Sequence, residues 1–169
     1  MAVTYKLIET ITVGSGGAAS VTFSSIPQTY TDLVLKVSAR TDRAAGVSDS
    51  VLVKFNNSTT TYTGRILYGD GSSAASQSYS STGGVSAVSN TATASVFSNA
   101  EMYIPNYAGS TNKAFSVDNV TENNGTQSYT LLDAGLWSTT SAITSLVCAG
   151  ANGNLMQYTT LSLYGIKNS

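Results

Sequence analysis

Apolar residues recur at every second position along most of this chain, and that period limits what it can fold into. In "DLVLKVSAR" the residues Leu33, Leu35, Val37 and Ala39 alternate with Lys36 and Ser38. "SVLVKFNN" repeats the device with Val51, Val53 and Phe55 against Lys54 and Asn56. "TYKLIETITV" sets Tyr5, Leu7, Ile11 and Val13 on one expected face, with Glu9 as the polar break. Side chains of a strand point alternately to its two faces, so the pattern predicts strands with one face buried and one solvated, as in antiparallel sheets. Further candidates are "ASVTFSS", "TYTGRILY", "VSAVS", "AEMYIPN", "KAFSVDNVTEN", "YTLLDAGLW", "AITSLVC" and "QYTTLSLYGI". Their Val, Ile, Thr, Tyr and Phe content suits a pleated surface.

Turn signals separate these segments: "GSGG" at 14–17, "NNST" at 56–59, "YGDGSS" at 68–73, "NNG" at 123–125 and "NGN" at 152–154. Asn and Gly supply the positive φ that tight turns need. No apolar stripe runs at helical spacing. The stretch from Ala87 to Asn99 has room for a helical turn, although its Ser, Thr and Asn residues disfavour one. Residues 69–84, "GDGSSAASQSYSSTGG", are nearly all small and polar and read as a long hairpin tip or a partner-facing loop. A chain of 169 residues is enough for one core. The expected fold is all-β: a single domain, residues 1–169, forming an antiparallel β-sandwich of jelly-roll type.

The residue inventory restricts function. Charged residues make up 10% of the chain, against a usual quarter, and serine and threonine fill the gap at about three residues in ten. There is no histidine, which removes the serine-activating triad and the commonest zinc ligand. The nine acidic residues are scattered, and no pair is marked as the facing carboxylates of a glycosidase. "GDGSS" lacks both the lysine of a phosphate loop and the spaced oxygen ligands of a calcium loop, and reads as a turn. Eight thinly spread cations argue against binding nucleic acid. No run has the length of a membrane-spanning helix, and Met1 leads straight into a strand pattern, so neither membrane insertion nor secretion is expected. Cys148, the one cysteine, is expected as a buried strand thiol. No catalytic, cofactor-binding or metal-binding residue is expected, and the chain is read as a non-enzyme.

Aromatic side chains carry the positive signal. Trp137 with Tyr129, and Tyr158 with Tyr164, could stack on sugar rings, but large aromatics more often fill a core or a subunit contact. The sequons at Asn56, Asn57, Asn119 and Asn124 carry little weight in a chain for which no secretion is expected. Tyr-rich, charge-poor strand surfaces match a permanent subunit interface.

Five blocks resemble a group of small virion proteins of tailed bacteriophages. They are "TVGSGGAASVTFSSIPQTYTDLVLKVSAR", "VKFNNSTTTYTGRILYGDGSSA", "FSNAEMYIPNYAGSTNKAFSVDNVTENN", "GLWSTTSAITSLVC" and "QYTTLSLYGIKNS". The resemblance implies a capsid decoration (cement) protein on the outer surface of the phage head, assembled in the host cytoplasm. Its partners would be the major capsid protein and copies of itself, as a homotrimer. The alternative is a tail-fibre or receptor-binding module for host surface glycans. Candidate contacts are Tyr5 and Leu7 in the extended start, which could pair with a neighbour's sheet edge. Ser78 and Tyr79 in the 69–84 segment, and Tyr107 and Asn112 in "NYAGSTNK", complete the set.

Overall fold

The computed structural model describes residues 4–123 and 128–167. The expected turn at 123–125, the sequon at Asn124 and the first residues of the N-terminal segment fall partly or wholly outside them. The described residues form twelve strands and no helix. These are β1 (Tyr5–Thr12), β2 (Ser20–Phe23), β3 (Asp32–Ser38), β4 (Ser48–Phe55), β5 (Tyr62–Gly69) and β6 (Ala74–Tyr79). They continue with β7 (Gly84–Val88), β8 (Asn99–Ile104), β9 (Lys113–Val120), β10 (Thr130–Trp137), β11 (Leu146–Gly150) and β12 (Thr160–Ile166).

The strands make two antiparallel sheets, one of eight in the order β1-β12-β3-β8-β9-β10-β5-β6 and one of four in the order β2-β11-β4-β7. The topology is nested. β2 pairs with β11, β3 with β8, β4 with β7 and β5 with β6, while β11–β4 and β10–β5 pairings close the sheets. A long double strand wound in this way is a jelly roll. The meander β8-β9-β10 occupies the position of one strand between β3 and β5, and β1 and β12 extend the other end. Those additions make one sheet twice as wide as the other.

The two inner faces share one core. Leu33, Leu35 and Val37 of β3, Leu161 and Leu163 of β12, and Val51, Val53 and Phe55 of β4 are all buried in it. At one end Phe55 reaches across from the small sheet. Its ring meets Phe115 and Trp137 edge-on at centroid distances of 5.6 and 5.7 Å and lies tilted against Tyr62 at 5.8 Å. The Phe55 backbone N–H donates to the Tyr62 hydroxyl at 2.8 Å, so the buried phenol oxygen has a partner. Cys148 lies in this core, and burial pushes its thiol up to about 12. An inert thiol follows.

Four expectations change against the structure. In β1 the register slips between Leu7 and Glu9. Tyr5 and Leu7 pair with Ile166 and Tyr164 on the outer face, whereas Ile11 pairs with the core residue Leu161. The bulge thus splits the expected set across two faces. Residues 69–84 are not a structureless loop. The Asp70 carboxylate accepts the backbone N–H groups of Ser72 and Ser73 at 2.9 and 2.7 Å, closing a turn from which β6 runs back along β5. Residues 89–98 hold no helix; the buried Arg40 guanidinium donates to the carbonyls of Asn90, Ala92, Thr93 and Val96 and fastens the segment as turns. Finally, Asp32 and Val34 of β3 are buried although they face outward, because Tyr103 and Tyr164 flank Val34 on the neighbouring strands.

Gly135 of β10 leaves the space that Phe115 fills: a Cβ there would lie 2.0 Å from the Phe115 ring. Gly135→Ala is therefore expected to lower stability by about 1–3 kcal/mol, read as a lower urea midpoint. An unchanged midpoint would show that this ring has room to move.

Candidate functional site

Two features separate this molecule from an inert sandwich: the outer face of the large sheet and a cleft at one open side. Among the described residues, five of the six exposed large apolar side chains lie on the outer face: Tyr5, Leu7, Leu67, Val120 and Leu132. Pairing explains their grouping. Tyr5 and Leu7 sit opposite Ile166 and Tyr164, Leu67 sits opposite Leu132, and Val120 sits opposite Asn99, all at outward positions of the pleat. At the β1 end the Tyr5 and Tyr164 rings meet edge-on at 6.5 Å, and the Tyr103 hydroxyl donates to Asp32 Oδ2 at 2.7 Å. Between the two apolar ends runs an exposed Lys36–Glu101 ion pair of 2.8 Å. Eight strands at about 4.8 Å spacing and roughly 23 Å length give a face of roughly 900 Å². A standard interface covers about 800 Å² per partner.

Both ends of that sheet are edges. Among the described residues β1 pairs with β12 alone and β6 with β5 alone, so each keeps a row of backbone donors and acceptors on its outer side. The bulge in β1, with Lys6 and Glu9 beside it, restricts what can add to that edge.

The expected contact residues divide. Tyr5 and Leu7 are about half exposed, at 48% and 51%, on the outer face beside the β1 edge. Ser78 is exposed on the outward side of β6, and Asn112 is exposed in its loop. Tyr107 is not available to a partner: it is fully buried, and its hydroxyl donates to the Pro27 carbonyl. Lys113 binds the same loop down from inside, its buried ammonium donating to the carbonyls of Gly109 and Thr111. The loop 105–112 is thus held to the core by both residues. Tyr79 points inward, into the cleft.

This cleft arises because the large sheet overhangs the small one. Strand β7 is the edge of the four-stranded sheet, and the inner faces of β10, β5 and β6 extend past it. Two adjoining hollows of about 230 and 240 Å³ share Ser50, Ile66, Ser86 and Leu131 as walls. Tyr79 and Asp133 line the first, and Tyr68, Gln77 and Tyr129 line the second. Gly64 makes room for Tyr79, since a Cβ there would sit 2.2 Å from the ring. The Tyr79 hydroxyl donates to Asp133 Oδ2 at 2.8 Å.

Asp133 differs from the other buried aspartates. Asp32 accepts from Tyr103 and from the Asn106 N–H, one bond on each oxygen. Asp49 accepts from Thr41 on one oxygen and Asn152 on the other. Asp133 is 5% exposed, and no protein group hydrogen-bonds its Oδ1. Burial raises its pKa, and the Tyr79 hydrogen bond opposes that shift. Tyr79 is itself raised far above its ordinary value, first by burial and then by its bond to Asp133. No signal singles out Asp133 in the strand candidate "YTLLDAGLW" until parity is applied. If Trp137 is buried, Asp133 four residues earlier must face inward too.

Among the described residues, no group of three His, Cys, Asp or Glu side chains is placed to hold a metal ion. They form no helix long and apolar enough to cross a membrane, which says nothing of strands. The chain matches no protein-family model, no curated protein and no solved structure.

A buried carboxylate with one idle oxygen costs stability when ionised. Because the folded state raises its pKa above the ordinary 3.8, the contribution of Asp133 is complete below that value and is lost as pH rises through the folded-state pKa. Asp133→Asn keeps an acceptor for Tyr79 and removes the charge. It should exceed the native chain in stability by about 1–3 kcal/mol at pH near 8, with the difference closing toward pH near 3. Urea titrations at the two pH values check this; a variant less stable at both would contradict it.

Proposed function

We propose that this protein is a non-enzymatic structural component of a tailed-phage virion: a decoration protein that binds the outside of the head and braces neighbouring coat subunits. The carrying observation is that exposed apolar side chains gather at both ends of one broad sheet face, beside the charged Lys36, Glu101, Asp118 and Arg65, and that unpaired strand edges bound this face. Such a face works by area and by main-chain pairing rather than by reaction. The jelly-roll core beneath it, tied by Phe55 and its three aromatic partners, supplies the rigidity that bracing requires. In this reading β1 and the Tyr5–Leu7–Tyr164 patch join copies into a trimer, and the rest of the outer face meets the major capsid protein. A second reading is a tail-fibre or receptor-binding module for host surface glycans. The inter-sheet cleft favours it.

Two measurements test the leading reading. On a stained gel of purified particles the protein should approach the coat protein in molar amount, and particles lacking it should lose infectivity faster on heating. Equal heat resistance with and without it would remove the bracing role. For the oligomer, Leu7→Lys places a charge in the centre of the patch and should convert the purified protein to monomer by sedimentation, with its circular-dichroism spectrum unchanged because the side chain is about half exposed. An unaltered oligomer would place the contact elsewhere.

A further inference from the structure

We propose that the cleft between β7 and the overhanging strands β10, β5 and β6 is a saccharide-binding site, in which Asp133 Oδ1 accepts a hydrogen bond from a ligand hydroxyl. This deepens the glycan-binding reading above and rests on that reading, but it does not depend on where the protein sits in a particle. Three observations converge on it.

First, Asp133 is the buried aspartate whose second oxygen no protein group satisfies, and it forms part of the cleft wall. The other two buried aspartates have both oxygens engaged, so Asp133 stands apart from them. Oδ1 is screened from open solvent. Its donor must be a small group that enters beside Tyr79.

Second, the lining is mixed. Ser50, Ser81, Thr82 and Ser86 bring hydroxyls, and Gln77 brings an amide. These groups both donate and accept, which matches a ligand made of hydroxyls. An ammonium only donates and could use the carboxylate but not the donors. A phosphate would face the Asp133 carboxylate, and the nearby cation Arg43 is committed to the Ser48 carbonyl and Asp49. Third, Tyr68 and Tyr129 add flat amphipathic rings, on which the C–H face of a sugar can lie. The adjoining hollows, about 230 and 240 Å³, each fall below the roughly 300–1,000 Å³ of drug-sized sites, which suits a ligand as small as one sugar unit in each.

The test uses ¹⁵N-labelled full-length chain titrated separately with the methyl glycosides of glucose, galactose, mannose, rhamnose and N-acetylglucosamine. Tetramethylammonium and inorganic phosphate serve as comparison probes. At least one glycoside should give saturable amide shifts at Gly83, Ser86 and Asp133. Asp133→Asn should weaken that response about tenfold, because a charged acceptor is replaced by a neutral one. Asp133→Ala should abolish it, with the dispersion of the remaining spectrum showing that both variants are folded. No response to any glycoside, or a response to tetramethylammonium or phosphate alone, would overturn the proposal. A glycoside response that maps outside the cleft, for instance around the exposed Tyr158, and survives Asp133→Ala would overturn this site while leaving the glycan-binding reading in place.

Discussion

Everything on the surface of this molecule depends on how its two unequal sheets are held together, and the strongest tie is aromatic. Phe55 leaves the small sheet and inserts among Tyr62, Phe115 and Trp137 of the large one, with three ring contacts between 5.6 and 5.8 Å. Aromatic pairs in these tilted and edge-on arrangements contribute about 0.5–1.5 kcal/mol each beyond the area they bury. The Phe55 N–H to Tyr62 hydroxyl bond satisfies a backbone donor at the end of β4 that would otherwise be buried unpaired. Beyond this contact β10, β5 and β6 have less of the small sheet to cover them, and the cleft opens there.

The excess of strands in one sheet has two consequences for function. It produces a wide outer face on which apolar and aromatic side chains collect, and it leaves β1 and β6 as edges. Their chemistry differs. β1 carries a bulge, Lys6 and Glu9, devices that discourage indiscriminate strand addition and so favour a specific partner. β6, with the sequence AASQSY, is small and polar on its outward side and contributes Tyr79 inward to the cleft. One strand therefore belongs to both candidate surfaces, so a partner that paired with β6 would also act on the position of Tyr79. Arg40 and Lys113, the two buried cations among the described residues, share one role: each holds a loop from within by donating to its carbonyls.

Most of the architecture was legible because it depends on local alternation. The segments around β3, β4, β9 and β12 announce themselves by apolar residues at every second position, and the turn residues between them mark antiparallel connections. What escaped were features without a periodic signal. β6 was hidden because Ala, Ser and Gln alternate no apolar side chains; it is a strand because β5 offers a free edge and the Asp70 turn aims the chain along it. The face exchange in β1 was hidden because one inserted residue changes parity without changing composition. Tyr107 was assigned to the surface because it lies in a polar loop; it is drawn in by an acceptor from a distant segment, the Pro27 carbonyl.

The amino-acid sequence by itself determined the class of fold, the rough positions of the strands, the inert core cysteine and the scarcity of reactive side chains. Each of these follows from residue type and nearest-neighbour spacing. Only the tertiary structure decided which carboxylate is buried with an idle oxygen, which strands are edges and which tyrosines face out. Those properties depend on pairing between residues far apart in the chain. Asp133 meets Tyr79 across 54 positions, and Tyr5 meets Tyr164 from the opposite end of the chain. No local pattern encodes such distances, because they are set by how the long double strand winds and where the narrower sheet ends.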